Sequence, residues 1–182
     1  MIEPKRRCWE GIHPYHPYDS TAGLINLCKE FLTKNMIGVE IGAFRGASSE
    51  VLSYFSKKLT CIDPWSLAQQ KRDYKEIEIS LSIKAELAFD EVLRKCGNIS
   101  KLKLFSDEAI NLFDENSLDY VYIDAAHDSR NFELDYNLWR TKVKIGGYVC
   151  GHDYDMVKDS VNKLNINILK IYEDSSWINI KK

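Results

Sequence analysis

Two stretches carry the densest ionisable chemistry, "VYIDAAHD" (Val121–Asp128) and "GGYVCGHDY" (Gly146–Tyr154). In each, an apolar run stops at an aspartate, Asp124 or Asp153, with a histidine close by, His127 or His152. If the runs are neighbouring parallel strands, both carboxylates lie on one edge of the sheet, and at that separation they repel unless a proton or cation sits between them. A divalent ion is one resolution. The other is structural, because aspartate is a favoured helix N-cap and a helical pattern follows each run. An imidazole past a strand end titrates near neutral pH and can take a proton from a group within hydrogen-bond reach, or it can be a surface side chain.

A third stretch, "VEIGAFRGASSE" (Val39–Glu50), is a strand that breaks at a glycine turn and enters a helix. Gly42 and Gly46 let the backbone turn tightly and approach a ligand, and Ser48 and Ser49 fall in the first helical turn, whose free N–H groups can receive a carboxylate or phosphate. The next strand, "LTCIDPW" (Leu59–Trp65), stops at Asp63, about twenty positions on, where a nucleoside-binding fold places a carboxylate on the ribose hydroxyls. Pro64 ends the strand and stiffens the turn. Two successive strands ending this way predict a nucleoside pocket at the carboxyl edge of a sheet.

The elements that must hold these residues alternate. Short β-branched runs at Met36–Ile41, Leu59–Ile62, Lys101–Phe105, Leu118–Ile123 and Gly147–Cys150 predict strands. Between them, helical spacing of apolar residues predicts helices over Thr21–Leu32, Ala47–Phe55, Ile83–Lys95, Asp107–Phe113, Ser129–Val143 and Tyr154–Leu164. The polar stretch Trp65–Ser82 reads as a mobile helix or a loop. Ile166–Tyr172 and Trp177–Ile180 flank "EDSS" with no room for a crossover, so the sheet ends in a hairpin with one antiparallel strand. The expected fold is α/β, one Rossmann-like doubly wound domain over residues 1–182 with a mostly parallel sheet.

Composition narrows the partners. With 182 residues the chain has the size of one domain, and 25 basic against 27 acidic side chains leave a charge of −2, which supplies no basic footprint for nucleic acid or an anionic membrane. A small-molecule partner is expected. Cys8, Cys28, Cys61, Cys96 and Cys150 are an odd, scattered set, read as reduced thiols of a cytoplasmic protein. Pro4–Arg7 is basic but no apolar run follows it, so neither export nor membrane insertion is expected. "HPYHPYDS" (His13–Ser20) cannot be helical and reads as an N-terminal arm or a lid over residues 1–20. Trp65, Trp139 and Trp177 read as core, Trp65 being the one near enough to Asp63 to touch an adenosine.

Taken in order, Glu40-x-Gly42-x-x-x-Gly46, Ile62-Asp63-Pro64-Trp65, Ser106-Asp107-Glu108-Ala109, "LDYVYIDAAHD" and "KIGGYVCGHDY" resemble the class I S-adenosylmethionine-dependent methyltransferases, and within them the branch of macrocin-type sugar O-methyltransferases and cephalosporin-hydroxylase-like proteins. The resemblance runs from about Asp19 to the C-terminal hairpin. It implies seven strands with the antiparallel last one inserted between the fifth and sixth. It also implies S-adenosylmethionine as cofactor, with Glu40 and Gly42 at its methionine end, Ser48 near its carboxylate, Asp63 on the ribose, and Ser106 and Asp107 beside the adenine. A divalent cation, magnesium or manganese, would be held by Asp124, Asp153 and the residue before it, and His127 would take the proton of the acceptor hydroxyl.

The chain departs from the pattern twice. Phe44 stands where many such enzymes have glycine, and His152 where the family places an acidic or amide ligand. Imidazole suits manganese, iron or zinc better than magnesium, so either the ion is a transition metal or His152 is turned away. Arg45 reads as a carboxylate clamp or a solvated turn residue. Rival readings are a non-catalytic S-adenosylmethionine-binding module, a nicotinamide-dependent oxidoreductase, which lacks G-x-G-x-x-G here, and more distantly a metal-dependent hydrolase. The acceptor and the subunit number stay open, a homodimer being compatible.

Overall fold

Residue parity explains how the sheet is covered. In β1 (Ile37–Ile41) and β2 (Lys58–Ile62), paired in parallel with Glu40 opposite Cys61, alternate side chains point to opposite faces. Val39, Ile41 and Ile62 join one core and Cys61 the other. β4 (Leu118–Ile123) repeats the pattern, Tyr120 and Tyr122 on one face, Val121 and Ile123 on the other. A strand apolar on both faces must be buried on both, as the helices of a doubly wound sheet require.

The computed structural model describes residues 21–65 and 76–182, with the backbone alone over 76–80. Its sheet has seven strands in the order β3-β2-β1-β4-β5-β7-β6, with β3 at Ile99–Leu102, β5 at Val143–Gly151, β6 at Ile168–Ile171 and β7 at Trp177–Ile180. β1 to β5 pair in parallel, and β7 runs antiparallel to both β5 and β6. The expected insertion of an antiparallel last strand is therefore present. Helices α1 (Ala22–Phe31), α2 (Ala47–Tyr54) and α3 (Glu76–Lys95) supply Leu24, Leu27, Leu52 and Phe89 to one core; α5 (Ser129–Lys142) and α6 (Tyr154–Lys163) supply Phe132, Trp139, Val157 and Val161 to the other. The short α4 (Ser106–Ala109) leads into a 3-10 turn, Ile110–Leu112.

Among the boundaries that differ from the sequence reading, those of α3, β3 and β5 have a visible physical setting. α3 begins at Glu76, inside the polar stretch expected to be helix or loop. Further along the helix, Lys101 binds Glu86 and Asp90, and Lys103 also binds Glu86, fastening α3 to β3. β3 starts two residues earlier than its β-branched pattern suggests, because Ile99, Ser100, Lys101 and Leu102 are the residues in register with β2. β5 starts at Val143, so α5 passes into it without a loop. The expected arm at residues 1–20 lies outside the described residues.

Candidate active site at the carboxyl edge of the sheet

One row of backbone hydrogen bonds aligns the candidate residues. Asp63 donates its N–H to the Leu102 carbonyl, Gly42 to Ile62, Asp124 to Ile41 and His152 to Ile123, at 2.8 to 3.3 Å. Each residue just past a strand end thus hangs from the last carbonyl of the neighbouring strand, and four candidates stand side by side across β2, β1, β4 and β5. The strand order reverses between β1 and β4, which opens a crevice where such sheets bind ligands.

At the β1 end the turn is locked by internal bonds. Gly42 has φ of 89°, and a Cβ there would lie 2.2 Å from the Asp124 carbonyl oxygen, so only glycine lets the turn touch β4. Phe44 also holds a left-handed φ, 44°, which is why a glycine would sit there more easily. Its strain is offset by Asp63, whose carboxylate accepts from the N–H groups of Phe44 (2.9 Å) and Trp65 (2.6 Å), while the Trp65 indole N–H donates to the Phe44 carbonyl (2.7 Å). Trp65 is 2% exposed and packs on Phe89, so it belongs to the core. Burial raises the Asp63 pKa, and the two N–H donors oppose the rise.

Parity turns Glu40 away from the α5 face and toward α2. It is fully buried, its carboxylate accepting from the hydroxyls of Ser48 and Ser49 and from the Cys61 thiol. Burial raises its pKa and these donors moderate it. Ser48 thus spends its hydroxyl on Glu40, and what the start of α2 offers a ligand is its backbone N–H groups, with Gly46 as an N-cap that brings no side chain of its own.

At the β4 and β5 ends the arrangement is tenser. Neither Asp124 nor Asp153 caps a helix: Asp128 caps α5, accepting from the Asn131 N–H at 3.1 Å, and Asp153, at the start of α6 in a left-handed conformation, makes no capping bond. Instead Asp153 Oδ2 lies 2.9 Å from His127 Nδ1, and Oδ1 lies 3.2 Å from His152 Nδ1, which is 4.0 Å from Asp124 Oδ1. Ligand atoms of Asp124, His152 and Asp153 all fall within 4.8 Å of one another. The buried Nε2 of His152 has no hydrogen-bond partner among the described residues.

The electrostatics follow from this crowding. Burial, helped by Asp153 and Glu40 and opposed by His152, lifts Asp124 to about 7. Burial alone would lower His152, yet the bond to Asp153 and the charge of Asp124 raise it to about 9. The Asp153 bond likewise raises His127 against its partial burial. Burial disfavours a charged Asp153, but the two imidazoles outweigh it and hold its pKa well below the usual carboxylate range. A cation between the carboxylates is what the cluster calls for, and a protonated His152 supplies one by itself.

Known proteins resemble this chain in sequence and fold. A family model described as a methyltransferase domain matches residues 39–154, from the middle of β1 to the start of α6. The chain belongs to this family. An uncharacterized protein of Acanthamoeba polyphaga mimivirus is 30% identical over 157 residues, 80% of this chain, which spans 66% of that relative's length. Among solved structures, an rRNA methylase of Streptococcus thermophilus matches at 14% identity and TM-score 0.60, covering 87% of this chain and 95% of that one. A Streptococcus mutans protein described as a methyltransferase, solved in complex with S-adenosylhomocysteine, matches at 14% and 0.57, covering 85% and 92%. These likenesses reach the methyltransferase family and fold, and not the macrocin-type branch. A fold shared with an rRNA methylase also means that the net charge of −2 excludes no class of acceptor.

The edge of the methyltransferase domain gathers Gly42, Asp63, Asp124, His127, His152 and Asp153, while Glu40 and Ser48 serve one another behind it. Ser106 and Asp107 open α4 past β3; Asp107 is exposed, and the Ser106 hydroxyl donates to Asp135 on α5. Sequence reading missed Asp135, an acidic residue in an apolar stripe between Phe132 and Tyr136, which is itself a signal. It also missed Asp174 of the β6–β7 turn, which accepts from the Leu24 N–H and so caps α1 from 150 residues away. Cys28, Cys61, Cys96 and Cys150 are free and buried, and no helix among the described residues is long and apolar enough to cross a membrane.

Proposed function

We propose that the chain transfers the methyl group of S-adenosylmethionine to a hydroxyl oxygen of a small polar acceptor, within a single domain spanning residues 1–182. The observation that carries this is the pairing of His127 with Asp153 beside Asp124. With the proton of His127 held on Nδ1 by Asp153, Nε2 of this half-exposed imidazole is left as the free base, which is what a general base needs. Asp63 keeps lone pairs for the ribose hydroxyls although it already accepts two N–H groups. The N–H groups at the start of α2 receive the cofactor carboxylate, Gly42 lets the backbone approach its methionine end, and Ser106 and Asp107 border the adenine. The bound sulfonium supplies an electrophilic methyl, so the protein's task is alignment of an in-line displacement and removal of one proton.

Asp124, His152 and Asp153 fit a divalent cation by donor type and spacing, and two carboxylates with an imidazole favour manganese, iron or zinc over magnesium. When bound, such an ion would hold the acceptor's oxygens and lower the hydroxyl pKa. A cation-free reading, in which protonated His152 neutralises the carboxylates, is favoured by its raised pKa. Manganese titrated into the protein separates the two.

The test begins with calorimetry of S-adenosylhomocysteine, then methyl transfer from labelled S-adenosylmethionine to panels of sugars, catechols and RNA, with and without manganese. Binding together with transfer to a hydroxylated small molecule that His127→Ala abolishes supports the reading. Binding without transfer to any panel favours the sensing module, and NADH displacing S-adenosylhomocysteine favours the oxidoreductase.

A further inference from the structure

Asp135 is 4% exposed on the inward face of α5, beside Phe132, Tyr136 and Trp139. No cation among the described residues neutralises it. Burial is the main reason its pKa rises to about 6, and the charges that face it, Asp107 on α4 and Asp128 at the start of α5, are acidic and push it further. A buried carboxylate with one hydroxyl for company is a poor choice for stability, since an apolar residue of similar volume would avoid the desolvation cost. Its partner is Ser106, at the head of the helix that follows β3. An ionised carboxylate only accepts hydrogen bonds, so Ser106 must donate to it, and the rest of that hydroxyl is lone pairs.

We propose that Asp135 is a positioning residue that sets base specificity: by engaging the Ser106 proton it leaves the Ser106 oxygen as an acceptor, which selects a nucleoside whose base carries an exocyclic amine and rejects one with a carbonyl there. The proposal rests on the reading above that Ser106 borders the adenine. A carbonyl in place of the amine would set two acceptors against each other, and sites built around a hydrogen bond discriminate sharply when its partner is wrong.

The experiment is calorimetric titration of S-adenosylhomocysteine and of S-inosylhomocysteine, in which a carbonyl oxygen replaces the amine, at a pH above the Asp135 transition. The wild type is expected to favour the adenosyl compound by about tenfold or more. Asp135→Ala and Ser106→Ala should each bring the two ligands to within about twofold, and the double variant should lose no more than either single one, because both remove one interaction. Unchanged discrimination in both single variants, with S-adenosylhomocysteine still bound, overturns the proposal; so do additive losses. If Asp135→Ala has no thermal unfolding transition, Asp135→Leu, of similar volume and without the desolvation cost, takes its place in the comparison. Wild-type protein that binds neither compound overturns the cofactor reading, and this inference with it.

Discussion

The two halves of the sheet edge solve opposite problems. At the β1 and β2 ends, the two carboxylates and the indole are already satisfied, Asp63 by two backbone N–H groups, Glu40 by two hydroxyls and a thiol and Trp65 by a carbonyl, although the buried Arg45 Nε has no hydrogen-bond partner among the described residues. At the β4 and β5 ends, two carboxylates and two imidazoles crowd together, one aspartate sits in a left-handed conformation, and one buried imidazole nitrogen has no partner among the described residues. The first half is preorganised and would hold its shape whether or not a ligand is bound. The second half stores electrostatic conflict, and the proposed proton-handling role of His127 rests on that.

Breaking the tense half should cost the most. Removing the His127 imidazole with His127→Ala is expected to lower methyl transfer by about a hundred- to ten-thousand-fold, with S-adenosylhomocysteine affinity nearly unchanged, as steady-state rates and calorimetry will show. Asp153→Ala should do the same and, where manganese titration shows the wild type to bind the ion, also abolish that binding, since it removes both the partner of His127 and a candidate ligand. Equal loss of cofactor affinity in either variant would mean that the two halves are one site.

Breaking the satisfied half should show first in stability. Gly42→Ala places a Cβ against the Asp124 carbonyl in a backbone conformation that suits glycine, and should cost about 3 kcal/mol or more in urea unfolding. Outside both halves, the buried Asp135 of α5 gives a pH signature. Its folded pKa, about 6, lies above its unfolded value, so the native state binds the extra proton between the two. Stability therefore falls as pH rises from about 4 to 6, by about 3 kcal/mol for a shift of this size, and Asp135→Asn should flatten that slope in thermal melts. The smallest effect is expected at Asp128, the aspartate that does cap its helix: Asp128→Ala should cost about 1 kcal/mol and leave catalysis intact. Comparable losses of rate at Asp128 and Asp153 would erase the distinction drawn here between a cap and an active carboxylate.

Much of this was legible in one dimension because the signals are local. The period of two in β1 and β4, the glycine turn at Gly42, and the short link between Ile166–Tyr172 and Trp177–Ile180 depend on neighbours a few residues away, and they led to the parallel sheet, its antiparallel strand and the strand-end position of Asp63, Asp124 and Asp153. Boundaries were less legible where pairing overrode propensity. β3 follows its register with β2, and α3 reaches back to Glu76.

Side-chain partners were out of reach. That Asp63 closes the glycine turn, that Asp135 takes the Ser106 proton, that Asp174 caps α1, and that Asp153 chooses His127 and His152 over its own helix all depend on atoms brought together across 19 to 150 residues or by one residue's left-handed turn. Residue type and spacing say which groups reach an edge, since strand periodicity and turn chemistry act locally. Which of those groups are spent on one another and which stay free for a ligand is set by burial and distance, and these exist only once the chain has folded.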